Sequence, residues 1–218
     1  KVFNIQTQTV QKTECVLYKN IILSKRNIPA TDEDYREALC ECIEKNGLQS
    51  VPIYKGTELF LIRVQFYIQE TGESGNLAFK YENLLSEARQ WLVPFIPPKE
   101  KVSEKAVYEA LFFYLDGNIV QKKVPTEIQL ENGKKCKVFY EKQGQKIVPF
   151  IEIIIQHIFG CTETPKILGF PVVLKLLSPA RRPLQITSDL SHFWKETWPQ
   201  ICSEMKGRYP KHNWDATF

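Results

Sequence analysis

Apolar positions along this chain change period twice. From Lys1 to about Ile28, "KVFNIQTQTV" and "ECVLYKNIIL" are rich in β-branched and aromatic residues and are separated by the polar "QKT", which predicts short strands. Strands so few are too little for a sheet of their own. Residues 1–30 are therefore expected to be the end of an upstream β-domain, or linking strands. From Thr31 the pattern becomes helical: "TDEDYREALCECIEKNG" offers Thr31 as N-cap, Asp34 three residues later, an acidic first turn, and Gly47 as a left-handed cap. "TELFLIRVQFYIQETG" is apolar almost all round between Leu59 and Ile68, the mark of a helix covered on most sides. Arg63 within it is expected to be structural, snorkelling or salt-bridged. "YENLLSEARQWLVPFIPP" predicts a third helix, broken by Pro94 and then by Pro97 and Pro98. "SEKAVYEALFFYLDG" predicts a fourth, from N-cap Ser103 to a stop at Gly117, with Leu111, Phe112, Phe113 and Leu115 as core candidates. A helical subdomain over residues 31–118 follows.

After Gly117 the period shifts to two. "TEIQLENGKKCKVFYEKQGQKIVPF" alternates around the turn signals "ENGK" and "KQGQ" and predicts a three-stranded meander. A short buried helix is expected from Val148 to Phe159, ending at Gly160. "FPVVLKLLSP" reads as an interior strand, and "RPLQIT", opened by a proline, as an edge strand. The last element reads as a helix capped by Thr187 or Ser188, with a break and a new turn at Pro199. The fold class is α+β: a helical subdomain, then, over residues 119–218, a small antiparallel or mixed sheet packed with helices, with N-terminal strands from an upstream β-domain.

Composition narrows this only a little. The chain has 218 residues, 43% apolar and 25% charged, with a net charge of +4. That is globular, and it permits a phosphate-binding patch without demanding one. The chain opens on Lys1, as expected of a processed chain or a piece of a longer protein, and carries no leader pattern. Its greasiest run, "VPFIEIIIQHIFG", is too short to span a membrane, and the six cysteines have no zinc-site spacing, so a cytoplasmic setting with free thiols is expected. No phosphate loop, GxGxxG, HExxH or GxSxG motif occurs. The histidines are far apart: His157 reads as a core residue and His192 as a packing or hydrogen-bonding one. The sequence offers no catalytic constellation, no metal site and no cofactor site of its own.

"GCTETPKILG", "VVLKLLSPARRPLQITSDLSHFW" and "MKGRYPKHNW" resemble the C-terminal region of the HrpB-type ATP-dependent RNA helicases, bacterial members of the DExH-box group. "CVLYKNIILSKRNIP", "IRVQFYI", "ENLLSEARQWLVPFI" and "PTEIQLENGKKCKVFYE" extend the resemblance upstream over essentially the whole chain. It departs in three places. Arg181 stands where the family has glycine in "SPAGRP", Asn213 where it has proline, and "DATF" where it has an acidic-proline tail. The resemblance implies a parent protein with two RecA-like motor domains that hydrolyse ATP with Mg and move along RNA, this segment lying behind them as an accessory region. Its implied partners are those upstream motor domains and, as a further candidate, RNA; a membrane is not among them.

Two roles stay open at this point. Between Ser178 and Trp214 lie six Lys or Arg against three Asp or Glu. Arg181, Arg182, Lys206, Arg208 and Lys211 are candidate phosphate contacts, and Tyr209 and Trp214 candidate stacking platforms for unpaired bases. Alternatively the segment is a bracing or protein-interaction module. In that reading Trp194 and Trp198, four apart on one helix face, form core, and the terminal cations serve the helix dipole. An independent enzyme would need a nucleophile–base or metal arrangement that the sequence does not display.

Overall fold

The computed structural model describes residues 1–72 and 76–214, and they form an α+β fold. Two compact units arise, one from Lys1–Leu61 and Glu73–Asn118, the other from Ile62–Gly72 and Ile119–Phe218. The divergent tail "DATF" lies outside the described residues.

In the first unit, β1 (Val2–Asn4), β2 (Thr9–Tyr18) and β3 (Ile21–Ile28) make an antiparallel sheet in that order. These strands do not stand apart from the helices, as the division at residue 30 expects. Asp34, at the start of α1 (Asp32–Asn46), accepts from Lys12 of β2 at 2.7 Å and pairs with Lys1 at 3.1 Å. Tyr35 adds an edge contact to Phe3, with ring centroids 5.6 Å apart, and donates its hydroxyl to Gln8. The α1 N-terminus is the capping box the sequence signals. The Thr31 hydroxyl accepts from the Asp34 N–H, and the Asp34 carboxylate accepts from the Thr31 N–H. Gly47 closes the helix at φ 82°, ψ −173°, which is extended rather than left-handed helical, a region open at low cost to glycine alone.

Helix α2 (Lys55–Thr71) contributes its first half to this unit, where Phe60 packs on Tyr108 and Phe112. The proline-rich stretch is more broken than one helix: α3 (Asn76–Glu82), α4 (Ala88–Trp91), then a single 3₁₀ turn over Val93–Phe95. Helix α5 (Glu104–Tyr114) begins at Ser103, whose hydroxyl accepts the Ala106 N–H at 3.2 Å. Leu111 and Leu115 are fully buried, but Phe113 is 78% exposed, because it falls on the outer face of α5. Gly117 is not a stop. Asp116 takes the left-handed turn at φ 49°, and Gly117 starts α6 (Gly117–Lys123), where a Cβ would meet the Phe112 ring at 2.3 Å.

The second unit is built on a four-stranded sheet in the order β11-β10-β7-β6. The expected meander is instead two separate hairpins. β4 (Glu127–Gln129) pairs with β5 (Lys135–Lys137), and β6 (Phe139–Gln143) with β7 (Lys146–Ile154). The helix expected over Val148–Phe159 is the second half of β7 followed by a 3₁₀ turn, Ile155–Ile158. Its Ile and Val side chains are stiff at χ1 and pack well on a pleated sheet. Ile147, Pro149, Ile151 and Ile153 face inward in strict alternation. A small hairpin, β8 (Lys166–Ile167) with β9 (Phe170–Pro171), precedes β10 (Val173–Leu177), which runs parallel to β7. β10 is interior, and β11 (Pro183–Thr187) closes one edge, as the sequence predicts.

The last helix among the described residues has three parts: α7 (Leu190–His192), a π-helical turn over Phe193–Thr197, and α8 (Trp198–Arg208). Asp189, not Thr187 or Ser188, is the N-cap, its carboxylate accepting the His192 N–H at 2.9 Å, while Thr187 holds the Asp189 N–H. The π turn sits where Pro199, lacking an N–H, interrupts the regular ladder. Phe193, Trp194 and Trp198 are buried, the two tryptophans pack on the half-buried Phe159, and the Trp194 indole N–H donates to the Cys161 carbonyl at 2.8 Å. Arg63, on the half of α2 in this unit, is structural in a particular way. It is buried, and its Nε–H donates at 2.6 Å to the Val124 carbonyl just past the C-terminal end of α6. Among the described residues no helix is long and apolar enough to cross a membrane.

Candidate functional site

The seven candidate residues fall at two places. Arg181 and Arg182 lie in the turn between β10 and β11, both exposed. The turn is tightly made: the Ser178 N–H donates to the Arg182 carbonyl at 2.8 Å, the Arg181 N–H to the Ser178 carbonyl at 2.8 Å, and the Arg182 N–H to the buried Ser178 hydroxyl at 3.1 Å. Arg181 has φ 56°, a left-handed conformation that glycine adopts more easily and that costs another residue about 1–2 kcal/mol.

The remaining five gather at the end of α8. Lys206, Arg208 and Lys211 are exposed, and Arg208 pairs with Glu204 one turn back at 2.9 Å. The cations of the last turn complement the negative end of the helix. Trp214 departs from the stacking expectation. It is 4% exposed, packed on Trp198 at 6.2 Å, and its indole N–H donates to the Tyr209 carbonyl at 2.9 Å. Tyr209 is half-buried against Trp214 and His212. Both aromatic candidates thus belong to the packing that fastens the chain's end to α8.

The surface around Arg181 is not legible in the sequence alone, because it joins residues far apart along the chain. Arg181 lines a groove of about 330 Å³ with Lys134, Lys135 and Lys137 of the β4–β5 hairpin, Phe139 of β6, and His157. The α8 cations are not among its lining residues. Asn132 donates to the carbonyls of His157 and Phe159 at 2.9 and 3.1 Å, and the Glu131 carboxylate accepts from the N–H groups of Thr162 and Glu163. Those two backbone donors hold the Glu131 carboxyl below its ordinary pKa. The hairpin that carries the lysines is therefore anchored. Partial desolvation, and second the Lys134 ammonium, depress the His157 pKa. His157 is exposed rather than a core residue, because the expected helix is a strand end and a 3₁₀ turn. The available signal was "GKKCK", which places Lys135 and Lys137 on one face of a strand beside a glycine turn.

Next to this groove the outward face of the sheet carries aromatics. Phe139 stacks on Phe150 at 5.3 Å with an interplanar angle of 21°, the Lys137 ammonium lies 5.2 Å from the Phe139 centroid, and Lys175 lies 3.4 Å from that of Phe150.

The first unit presents a different surface. The far half of the β2–β3 hairpin has Val16, Leu17, Tyr18, Ile21, Ile22 and Leu23 each between 53% and 64% exposed. Both faces of the ribbon are open there, so no choice of register buries these side chains within the hairpin itself.

By its fold the chain is an α+β protein, with an anchored basic groove on one unit and an exposed apolar hairpin on the other. Residues 91–217 match the family described as HrpB_C, ATP-dependent helicase C-terminal, and the chain belongs to that family. It is 31% identical over 192 residues to the ATP-dependent RNA helicase HrpB of Escherichia coli (strain K12), covering 84% of this chain and 23% of that protein. The crystal structure of the E. coli DExH-box NTPase HrpB is similar with a TM-score of 0.77 and 28% identity, over 99% of this chain and 27% of that one. A second crystal structure, of the Escherichia coli DEAH/RHA helicase HrpB, gives a TM-score of 0.66 and 27% identity, over 92% and 26%. The chain spans about a quarter of the length of these relatives.

Proposed function

We propose that this chain is a non-catalytic accessory region of a cytoplasmic ATP-dependent RNA helicase, and that it braces the motor domains by docking the β2–β3 hairpin against them. ATP and Mg belong to the motor in this reading, not to these residues. The observation that carries it is the hairpin tip. Six large apolar side chains on a two-stranded ribbon are costly to leave in water, and an isolated ribbon is marginally stable. Covering them is favourable by roughly 25 cal/mol per Å² of apolar surface removed from water. The occupant is the motor part because the matched relatives are helicases about four times this chain's length, which leaves a large body for the hairpin to meet.

Hydrogen–deuterium exchange tests this on the parent helicase and the isolated chain. Amides from Val16 to Leu23 are expected to exchange more slowly in the parent, while those of α1 exchange alike in both. Equal exchange across the hairpin in the two proteins would rule out docking. A second reading, direct contact with single-stranded nucleic acid, draws on the other unit, where Arg181 and three lysines share a groove.

A further inference from the structure

We propose that the groove between the β4–β5 hairpin, the end of β7 and the β10–β11 turn binds single-stranded RNA, with phosphates against Lys134, Lys135, Lys137 and Arg181 and a base stacked at Phe139. This goes beyond the bracing role, uses none of the hairpin residues, and relocates the nucleic-acid contact away from the end of α8.

Charge is the first argument. Four permanent cations line the groove, and Glu152 is the one carboxylate among its lining residues. Lys135 is partly offset by Glu127 at 3.8 Å, outside the groove lining. The depressed pKa of His157, in part due to Lys134, has the direction a positive local potential gives.

Preorganisation is the second. Asn132 and Glu131 tie the lysine-bearing turn to the segments following β7, so these cations are presented by a fastened hairpin rather than a loose loop. On the opposite wall Arg181 holds a strained φ within a turn closed by three hydrogen bonds. Strain kept at a residue whose side chain lines a groove points to a use for that side chain.

The aromatic ring decides between ligands. Phe139 is 37% exposed, stacked with Phe150 and covered by the Lys137 ammonium, which lies over the ring 5.2 Å from its centroid, so a base that takes this ring face moves Lys137 onto a phosphate. An acidic protein surface would be served by the cations alone. A flat ring at the edge of a cationic groove suits an unpaired base whose phosphates run along the lysines. A base inside a duplex has no face to offer it.

The test is fluorescence anisotropy of a fluorescein-labelled oligouridylate with the whole chain across a KCl series. Four neutralised phosphates give a slope of about −2.8 in log affinity against log salt, or about 50-fold weaker binding between roughly 50 and 200 mM. Lys134→Ala/Lys137→Ala is expected to bring the slope to about −1.4. Phe139→Ala is expected to weaken binding about tenfold with the slope unchanged. Arg181→Gly is expected to reduce the slope by about 0.7 without lowering the melting temperature, since glycine suits that backbone. Lys206→Ala/Arg208→Ala should bind as the parent does. No binding at low salt overturns the proposal, as does a Lys134→Ala/Lys137→Ala variant with the parent's slope. Loss of binding in Lys206→Ala/Arg208→Ala instead would place the contact at α8 and overturn it too. So would groove variants that keep RNA binding but fail to capture the motor domains in trans, because the groove would then be a protein contact.

Discussion

Asp34 shows how much one side chain can join. It caps α1, accepts from Thr31, and holds Lys12 and Lys1 from the N-terminal sheet. The Lys12 ammonium first, then the Thr31 N–H and hydroxyl, keep its carboxyl well below the ordinary value of about 3.9. A carboxyl depressed in the folded state contributes stability that is fully present above its unfolded pKa and disappears as pH falls through the folded one. Asp34→Asn is therefore expected to lower the urea midpoint at neutral pH, with the gap from the parent closing progressively below about pH 4. A gap independent of pH would remove the charge from the explanation. The cap was legible from "TDED", because capping acts within one helical turn. The two lysines were not, since nothing local relates residues 1 and 12 to 34. Trp214 makes the same point from the other side. A tryptophan beside cations reads as a stacking platform, and only its neighbours Trp198 and Tyr209 show that its ring is already in use.

At the scale of elements, Arg63 caps the C-terminal end of α6 with a side chain from α2. Helix ends leave carbonyls without intrahelical partners, and a guanidinium close to them satisfies both the hydrogen bond and the dipole. Arg63→Met keeps the length and apolar stem but removes the donors. It is expected to cost about 2–3 kcal/mol in urea unfolding, the scale of a buried hydrogen bond from a charged group. A cost below about 0.5 kcal/mol would show the cap to be dispensable. The burial of this arginine could be expected from its apolar helix, but not its role, because the carbonyl it meets is at Val124. β7 went the other way. "VPFIEIII" supports helix or strand by composition, and its pairing with β6 on one side and β10 on the other resolves the ambiguity. The same pairing puts Phe139 next to Phe150 and so builds the aromatic edge of the groove.

For the whole molecule, the question is which surfaces it offers to something larger. The hairpin predicts a separation between stability and assembly. Leu17→Asp places a charge on a side chain already in water, so the melting temperature of the isolated chain is expected to stay within about 1–2 °C, the effect of a surface change of a few tenths of a kcal/mol. Capture of the motor domains in trans is expected to drop at least tenfold, because a buried unpaired carboxylate is costly. Unchanged capture would separate the hairpin from docking.

The sequence by itself determined the α+β class, the capped starts of α1 and α5, the interior and edge places of β10 and β11, and, through the stretch from Gly160 to Trp214, the family. Each of these rests on interactions within a turn or on a periodicity that a single segment carries. The tertiary structure decided which cations share a groove, which tryptophan is packed, which arginine caps a distant helix, and which apolar strands remain in water. Those depend on pairs such as Lys134 with Arg181, or Asn132 with Phe159, that no local rule relates. Burial belongs to a residue's neighbours in space, and only the packed chain says who they are.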